Sequence, residues 1–214
     1  MSVGIILELF IAVLGSLFSV VNPIGAVPVF LGMTANYSKP ERTRTARVTS
    51  LYFTLILLSF FFAGSFILSF FGISVNAMRI AGGLVILNSG YALLSGKFEE
   101  SRAINKEVEE EALHKQDITF SPLAMPLLSG PGSISLLIGL HAEYPQWESR
   151  TVIAFVIIAM GILVYLILRS APYFQRVMGV AGLKALSRII GFIVMAIAVQ
   201  YIISGVVDLV KSLV

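Results

Sequence analysis

Apolar residues fall into six long runs along this chain, and short polar stretches separate the runs. Each run is near or above the ~20 residues that an α-helix needs to cross a bilayer. The runs cover approximately residues 3–34, 48–71, 75–95, 118–141, 151–168 and 185–210. This pattern predicts an all-α, polytopic membrane protein with six transmembrane helices in a single membrane domain over residues 1–214.

Composition strengthens the prediction. Hydrophobic residues make up 57% of the chain and charged residues 13%, and the mean hydropathy is +0.92. A soluble domain carries about 25% charged residues. The basic excess of +3 is spread over short loops, which argues against nucleic acid as a partner. The absence of cysteine excludes disulfides and thiol chemistry.

Two of the runs are interrupted by proline and glycine, at Asn22–Gly25 in the first and at Ser129–Gly132 in the fourth. Proline removes a backbone donor and clashes with the preceding turn. As one straight helix, residues 3–34 would measure ~48 Å, which exceeds the hydrocarbon core. Freed backbone groups survive in a bilayer only inside protein or beside a wet cavity. We therefore expect segments one and four to be discontinuous.

The two halves of the chain resemble each other. Residues 79–96 align without gaps with residues 188–205, with six identities in 18 positions. Their offset is 109, and Pro23 and Pro131 correspond at an offset of 108. These offsets predict a first repeat over residues 1–95 and a second over residues 118–214, joined by a polar linker at 96–117. Because each repeat has three spans, the second enters from the opposite side and the repeat is inverted.

Basic residues predict the orientation. The loops after segments one, three and five carry twelve of them, against three on the other side. The larger group comprises Lys39, Arg42, Arg44, Arg47, Lys97, Arg102, Lys106, Lys115, Arg169, Arg176, Lys184 and Arg188; the smaller comprises Arg79, Arg150 and Lys211. We expect the three basic loops in the cytoplasm and both termini outside.

The two interruptions form a candidate binding site. A helix that restarts presents unpaired N–H groups and a positive dipole end, which suit a carboxylate. The carbonyls of the helix that ends suit an ammonium group, so the pair fits a small zwitterion. The candidate substrate-binding residues are Asn22, Pro23, Gly25, Ala26, Asn88, Ser129, Gly130, Pro131, Gly132, Ser133 and Gln200.

Plainer interpretations stay open for these residues. The interruptions could only kink helices for packing, although two paired Pro-Gly interruptions in corresponding positions favour a site. Asn88 and Gln200 are equally suited to hydrogen bonds between helices. The spacing shows no metal cluster, nucleotide loop or catalytic triad, so we expect no cofactor, no metal and no enzyme activity. No charged residue lies deep in a run, and a proton-coupling carboxylate is not evident.

The chain resembles the MarC family of bacterial and archaeal membrane proteins, which includes the SnatA-type neutral amino acid transporters. The resemblance covers essentially the whole chain. It rests on Asn22–Gly25 followed by Pro28–Phe30, and on Arg79–Gly83, Pro122–Pro126, Ser129–Ser133 and Arg188–Phe192.

The resemblance implies six spans in two inverted repeats in the cell inner membrane. It also implies that small neutral amino acids such as glycine and alanine bind at the broken helices, with a proton or Na⁺ as coupling ion. We therefore predict a secondary transporter that works by alternating access in the lipid bilayer. An oligomer is left open. The alternatives are a channel for small neutral solutes, and a non-transporting regulatory or assembly protein that uses the 96–117 linker as its contact.

Overall fold

The computed structural model describes residues 3–96 and 118–211, so most of the predicted 96–117 linker lies outside the described residues. The described residues form helices and contain no strand. The helices are α1 Val3–Val21, α2 Val27–Met33, α3 Lys39–Phe70, α4 Val75–Ser95, α5 Thr119–Leu128, α6 Pro131–Glu143, α7 Trp147–Arg169 and α8 Ala171–Lys211.

Five of these helices, α1, α3, α4, α7 and α8, are long and apolar enough to cross a membrane. The pair α5 and α6 is bent by 66° and makes a sixth candidate span if the two count as one. The prediction of an all-helical protein with about six spans is confirmed at this level. Within the fourth run, α5 ends at Leu128 and α6 begins at Pro131.

Local signals place several helix ends. Before α3, the backbone N–H and the hydroxyl of Ser38 both donate to the Glu41 carboxylate, at 2.8 and 2.6 Å. This capping arrangement satisfies free donors of the first turn. The Ser74 hydroxyl caps α4 by accepting from the Ala77 N–H at 3.1 Å, and Gly96 ends α4 with φ +81°. The bounds of α4 match the predicted run 75–95.

The last helix begins earlier than the sequence suggested. The prediction started segment six near residue 185 and treated the preceding basic stretch as a loop, but α8 already begins at Ala171. The helix changes direction at Gly179, where φ is +64° and ψ is 176°. Glycine adopts this left-handed region without steric cost, so the chain can turn there and resume a helix. The basic residues of 171–184 are therefore helical.

Close helix packing depends on small residues. Helix α4 runs antiparallel to the part of α8 that follows Gly179. A Cβ added at Gly90 would lie 3.0 Å from the Gly191 carbonyl oxygen, and one at Gly191 would lie 2.9 Å from that of Gly90. Such approach is typical of membrane helices. Helix α3 packs on α5, α6 and α7, and α2 packs on α8.

Helix α3 has one buried face and one exposed face. One of its faces, formed by Phe53, Leu57 and Phe61, is fully buried. The opposite side exposes Leu51 and Leu55. Because the positions of each set recur every four residues, close to one helical turn, one helix supplies both a core face and an outer face.

Candidate functional site

The first break lies between α1 and α2 and is organised by Asn22. Asn22 has φ +47°, a conformation that asparagine tolerates better than most residues. Its side chain is completely buried, and its Oδ1 accepts a hydrogen bond from the Gly25 N–H at 3.2 Å. Its Nδ2 has no hydrogen-bond partner among the described residues. Pro23, Gly25 and Ala26 are buried beside it.

Gly25 is required by this arrangement. A Cβ at Gly25 would overlap the Asn22 amide nitrogen and would lie 3.1 Å from the Ser187 hydroxyl of α8. The folded-back Asn22 side chain therefore occupies the space that any other residue at position 25 would need.

The second break joins α5 to α6. Helix α5 has wide turns, and Ser121 and Met125, each followed by a cis proline, are extended, with φ of −124° and −135°. A residue before proline favours this region. The Ser129 N–H donates to the Ala124 carbonyl at 2.8 Å, and extended Gly130 leads into α6.

Polar groups at the second break are also enclosed. Ser129 is completely buried, and its hydroxyl has no hydrogen-bond partner among the described residues. The Ser133 hydroxyl is buried and donates to the Gly130 carbonyl at 2.9 Å. Gly130 and Gly132 are buried, whereas Pro131 is exposed.

The fold brings the two breaks together. A Cβ at Gly132, in the first turn of α6, would lie 3.4 Å from Val20 Cγ1 and 3.1 Å from Ile86 Cγ1. Val20 lies in the last turn of α1, two residues before Asn22. The carbonyl end of α1 and the N–H end of α6 are thus neighbours, separated by little side-chain bulk.

Two predicted site residues lie elsewhere. Asn88 of α4 and Gln200 of α8 are both exposed, so the structure does not enclose them with the buried residues of the breaks. In a membrane segment both the buried and the lipid-facing sides are apolar, so the sequence did not reveal which side each residue faces.

The structure adds an ion cluster that the sequence analysis missed. Arg79 of α4 is buried and donates to the Asp208 carboxylate of α8 at 2.7 Å and to the Glu143 carboxylate of α6 at 3.0 Å.

A contact of Tyr201 lies next to this cluster. The Tyr201 hydroxyl fills the space beside Gly139 and donates to the Leu136 carbonyl at 3.2 Å. Helix α6 is therefore held to α4 and α8. Arg79 aligns with Arg188 in the repeat, and this match was the feature of the sequence that could have drawn attention to Arg79.

A second missed feature is a matched pair of arginines at the ends of the short helices. Arg42 donates to the Thr34 carbonyl after α2 at 2.8 Å. Arg150 donates to the Tyr144 and His141 carbonyls at the end of α6, at 3.1 and 3.3 Å. A cation at a helix C-terminus satisfies free carbonyls and complements the helix dipole. Arg42 and Arg150 are 108 residues apart, the same offset as Pro23 and Pro131.

The site is chemically suited to binding. Its enclosed groups are amide, hydroxyl and backbone donors and acceptors, and the residues of the two breaks include no charged side chain. No group of three side chains of metal-binding type occurs within residues 3–96 and 118–211. Of the predicted residues, eight are enclosed at the breaks: Asn22, Pro23, Gly25, Ala26, Ser129, Gly130, Gly132 and Ser133.

Comparison with known proteins gives the family. The model of the MarC family integral membrane protein matches residues 7–210. A UPF0056 membrane protein of Methanocaldococcus jannaschii is 41% identical over 94% of this chain and 97% of its own length. One of Buchnera aphidicola is 38% identical over 94% of this chain and 93% of its own length.

A more distant relative has a more specific name. The UPF0056 inner membrane protein MarC of Salmonella typhimurium is 33% identical over 92% of this chain and 93% of its own length. No solved structure matches the chain. With a family model that covers nearly all of its length and the spans described above, the chain belongs to the MarC family of integral membrane proteins.

Proposed function

We propose that this protein is a secondary transporter of small neutral amino acids, with glycine and alanine as the substrate class, in the cell inner membrane. The observation that carries the proposal is a pair of buried polar atoms, Asn22 Nδ2 and Ser129 Oγ, that have no hydrogen-bond partner among residues 3–96 and 118–211. They lie at two helix breaks that are neighbours in the fold. Leaving such an atom unsatisfied costs about 1–3 kcal/mol. A ligand that completes its hydrogen bonds offsets that cost.

The charges and the space around the breaks favour a small zwitterion. The N–H end of α6 suits the substrate carboxylate, and the carbonyl end of α1 suits its ammonium group. The break residues carry no charged side chain, so a ligand with net charge would be uncompensated. The Asn22 side chain fills the space beside Gly25, and Ile86 and Val20 border Gly132, so the breaks leave little room for a large substrate side chain.

Alternating access requires a site that can face either side, and an inverted repeat supplies this property. The equal offsets of Pro23 to Pro131 and of Arg42 to Arg150 support such a repeat. Helix contacts support it as well. In such a repeat, α1 and α2 correspond to α5 and α6, α3 corresponds to α7, and α4 corresponds to α8. The contact of α3 with α5 then has its counterpart in that of α7 with α1, and the contact of α4 with α6 has its counterpart in that of α8 with α2. We infer six spans, cytoplasmic basic loops and external termini.

Burial of both breaks is consistent with an occluded conformation. In this proposal the cluster of Arg79, Glu143 and Asp208 closes one side, because it joins α6 to α4 and α8. Opening that side requires the cluster to separate. A proton or Na⁺ as coupling ion enters the proposal from the family resemblance.

The test is counterflow of radiolabelled glycine or alanine in proteoliposomes that hold the purified full chain. Vesicles preloaded with unlabelled amino acid should accumulate label transiently. Ser129→Ala should reduce this accumulation at least tenfold without lowering the thermal stability, because the hydroxyl makes no hydrogen bond within the described part of the chain. Ser89→Ala is the matched control, since its hydroxyl bonds within α4 to Val85, away from the breaks.

Three other outcomes would each reject a different part of the proposal. Equilibration of label without an overshoot would favour the channel. Absence of flux for every small neutral amino acid would reject the proposed substrate class. Overshoot that Ser129→Ala leaves unchanged would retain the transporter and reject this site.

A further inference from the structure

A basic cleft lies between the first turns of α3 and the last turns of α7. It has a volume of about 480 Å³ and is lined by Lys39, Pro40, Thr43, Arg44, Arg47 and Tyr165. The three cationic side chains are exposed, and Tyr165 is half-buried. Arg169 extends the basic surface: its Nη1 donates to the Tyr165 hydroxyl at 3.3 Å, and its guanidinium lies 5.9 Å from the centre of the Tyr165 ring.

The positive charge of this cleft is uncompensated in the part of the chain that the structure describes. No carboxylate pairs there with Lys39, Arg44 or Arg47. The nearest acidic residue along the chain, Glu41, accepts the hydrogen bonds of Ser38. The cleft therefore suits an anion that can accept several charge-assisted hydrogen bonds.

An exposed apolar surface continues from the cleft along both helices. On α3, Leu51 and Leu55 lie on the same face as Arg44, because 7 and 11 residues are close to two and three helical turns. On α7, Ile162 and Leu166 are exposed in the turns before Arg169. From Arg44 to Leu55 the helix rises ~16 Å, about the depth of one leaflet's hydrocarbon.

The two helices are aligned so that their basic ends meet. Gly161 of α7 packs against Thr54 of α3, and a Cβ at Gly161 would overlap the Thr54 hydroxyl. This contact lies near the middle of both helices, and Tyr165 of α7 lines the same cleft as the first residues of α3. The pair is thus antiparallel, with Lys39 and Arg169 at the same end.

We propose that this cleft binds the headgroup of an anionic phospholipid, with its phosphodiester among Lys39, Arg44 and Arg47 and its acyl chains along the apolar surface of α3 and α7. Basic pockets between transmembrane helices are suited to anionic headgroups. A soluble phosphate would use the cations alone, whereas a lipid uses the cations and the apolar surface together. The site is separate from the breaks and does not depend on the proposed transport.

Native mass spectrometry of the full chain in detergent tests the proposal, with dioleoyl phosphatidylglycerol and dioleoyl phosphatidylcholine as probes. The first phosphatidylglycerol should bind at least tenfold more tightly than phosphatidylcholine. Arg44→Gln combined with Arg47→Gln should weaken phosphatidylglycerol about 30-fold, because each basic side chain near an anionic lipid contributes about fivefold. Lys184→Gln combined with Arg188→Gln, which removes the same charge from exposed positions on α8, should have no effect.

A charge-conserving variant and a soluble headgroup fragment complete the experiment. Arg44→Lys combined with Arg47→Lys keeps the charge and should retain most of the binding, which separates lost charge from damaged folding. Glycerol 3-phosphate, the soluble headgroup fragment, should bind far more weakly than the lipid. Equal affinity for both lipids, an unaffected glutamine variant, or glycerol 3-phosphate binding as tightly as phosphatidylglycerol would each overturn the lipid assignment.

Discussion

At the scale of single residues, Asn22 combines two roles that can be separated. Its backbone adopts φ +47°, and its Oδ1 accepts a hydrogen bond from Gly25, while its Nδ2 has no partner in the described ranges 3–96 and 118–211. The backbone role concerns stability, since most L-residues pay about 1–2 kcal/mol for the left-handed region. The amide role concerns the proposed substrate.

We predict that Asn22→Gly and Asn22→Ala will both abolish counterflow but will differ in stability. Glycine accepts the left-handed conformation, whereas alanine does not, so the alanine variant should be less stable by about 1 kcal/mol. Thermal unfolding of the purified variants measures this difference. If the Asn22→Gly variant is stable and shows the same counterflow as the wild type, Asn22 does not belong to the proposed site.

Gly132 gives a second prediction at this scale. Valine there would press against Ile86 and Val20, where a Cβ alone already lies 3.1 and 3.4 Å from their side chains. We expect Gly132→Val to abolish counterflow while the protein remains in the membrane. Gly15→Val is the control in α1, because nothing lies within 4 Å of a Cβ at Gly15. If both variants transport equally well, close approach at Gly132 is not needed.

At the scale of secondary-structure elements, two short helices end in the same way. The last carbonyls of α2 and α6 accept hydrogen bonds from Arg42 and Arg150, each 19 residues after the proline of its break. Both arginines therefore set the direction in which the chain leaves the short helix. The same type of C-terminal cap thus follows both breaks.

Neutralising either arginine should lower stability. For Arg150→Gln and Arg42→Gln we expect a loss of about 1–2 kcal/mol each, because charged donors to helix C-terminal carbonyls are removed. Arg188→Gln is the control, since that exposed arginine makes no described hydrogen bond. Thermal unfolding in a fixed detergent is the measurement. Equal melting temperatures in all three variants would show that the caps contribute nothing.

At the scale of the whole molecule, the proposed cycle requires α6 to separate from α4 and α8 on the side of Arg79. The three helices meet there through Arg79, Glu143, Asp208 and Tyr201. Because Arg79 joins both carboxylates, replacing it removes both ion pairs at once and weakens the closed arrangement.

Accessibility of a single cysteine can follow this opening, because the natural chain has none. In Ser129→Cys, the thiol should react slowly with a membrane-impermeant maleimide, since position 129 is buried. Adding Arg79→Gln should raise the rate of this reaction at least fivefold when the maleimide is added on the side of the membrane where Arg79 lies. Saturating glycine or alanine should lower the same rate. Met160→Cys, in the buried core, should stay unreactive in both backgrounds. Equal rates with and without Arg79→Gln would contradict the closing role of the cluster.

The sequence alone determined the membrane class and the bounds of α4. These features depend on local signals, namely hydropathy and helix-capping residues. The tertiary structure alone decided that Asn22 and Ser129 are enclosed while Asn88 and Gln200 are exposed, and that Arg79 meets Glu143 and Asp208, 64 and 129 residues away. The physical reason is that lipid is as apolar as a protein core. A membrane helix therefore carries little amphipathic pattern to mark its buried face, and only packing against other helices selects the residues that line the site.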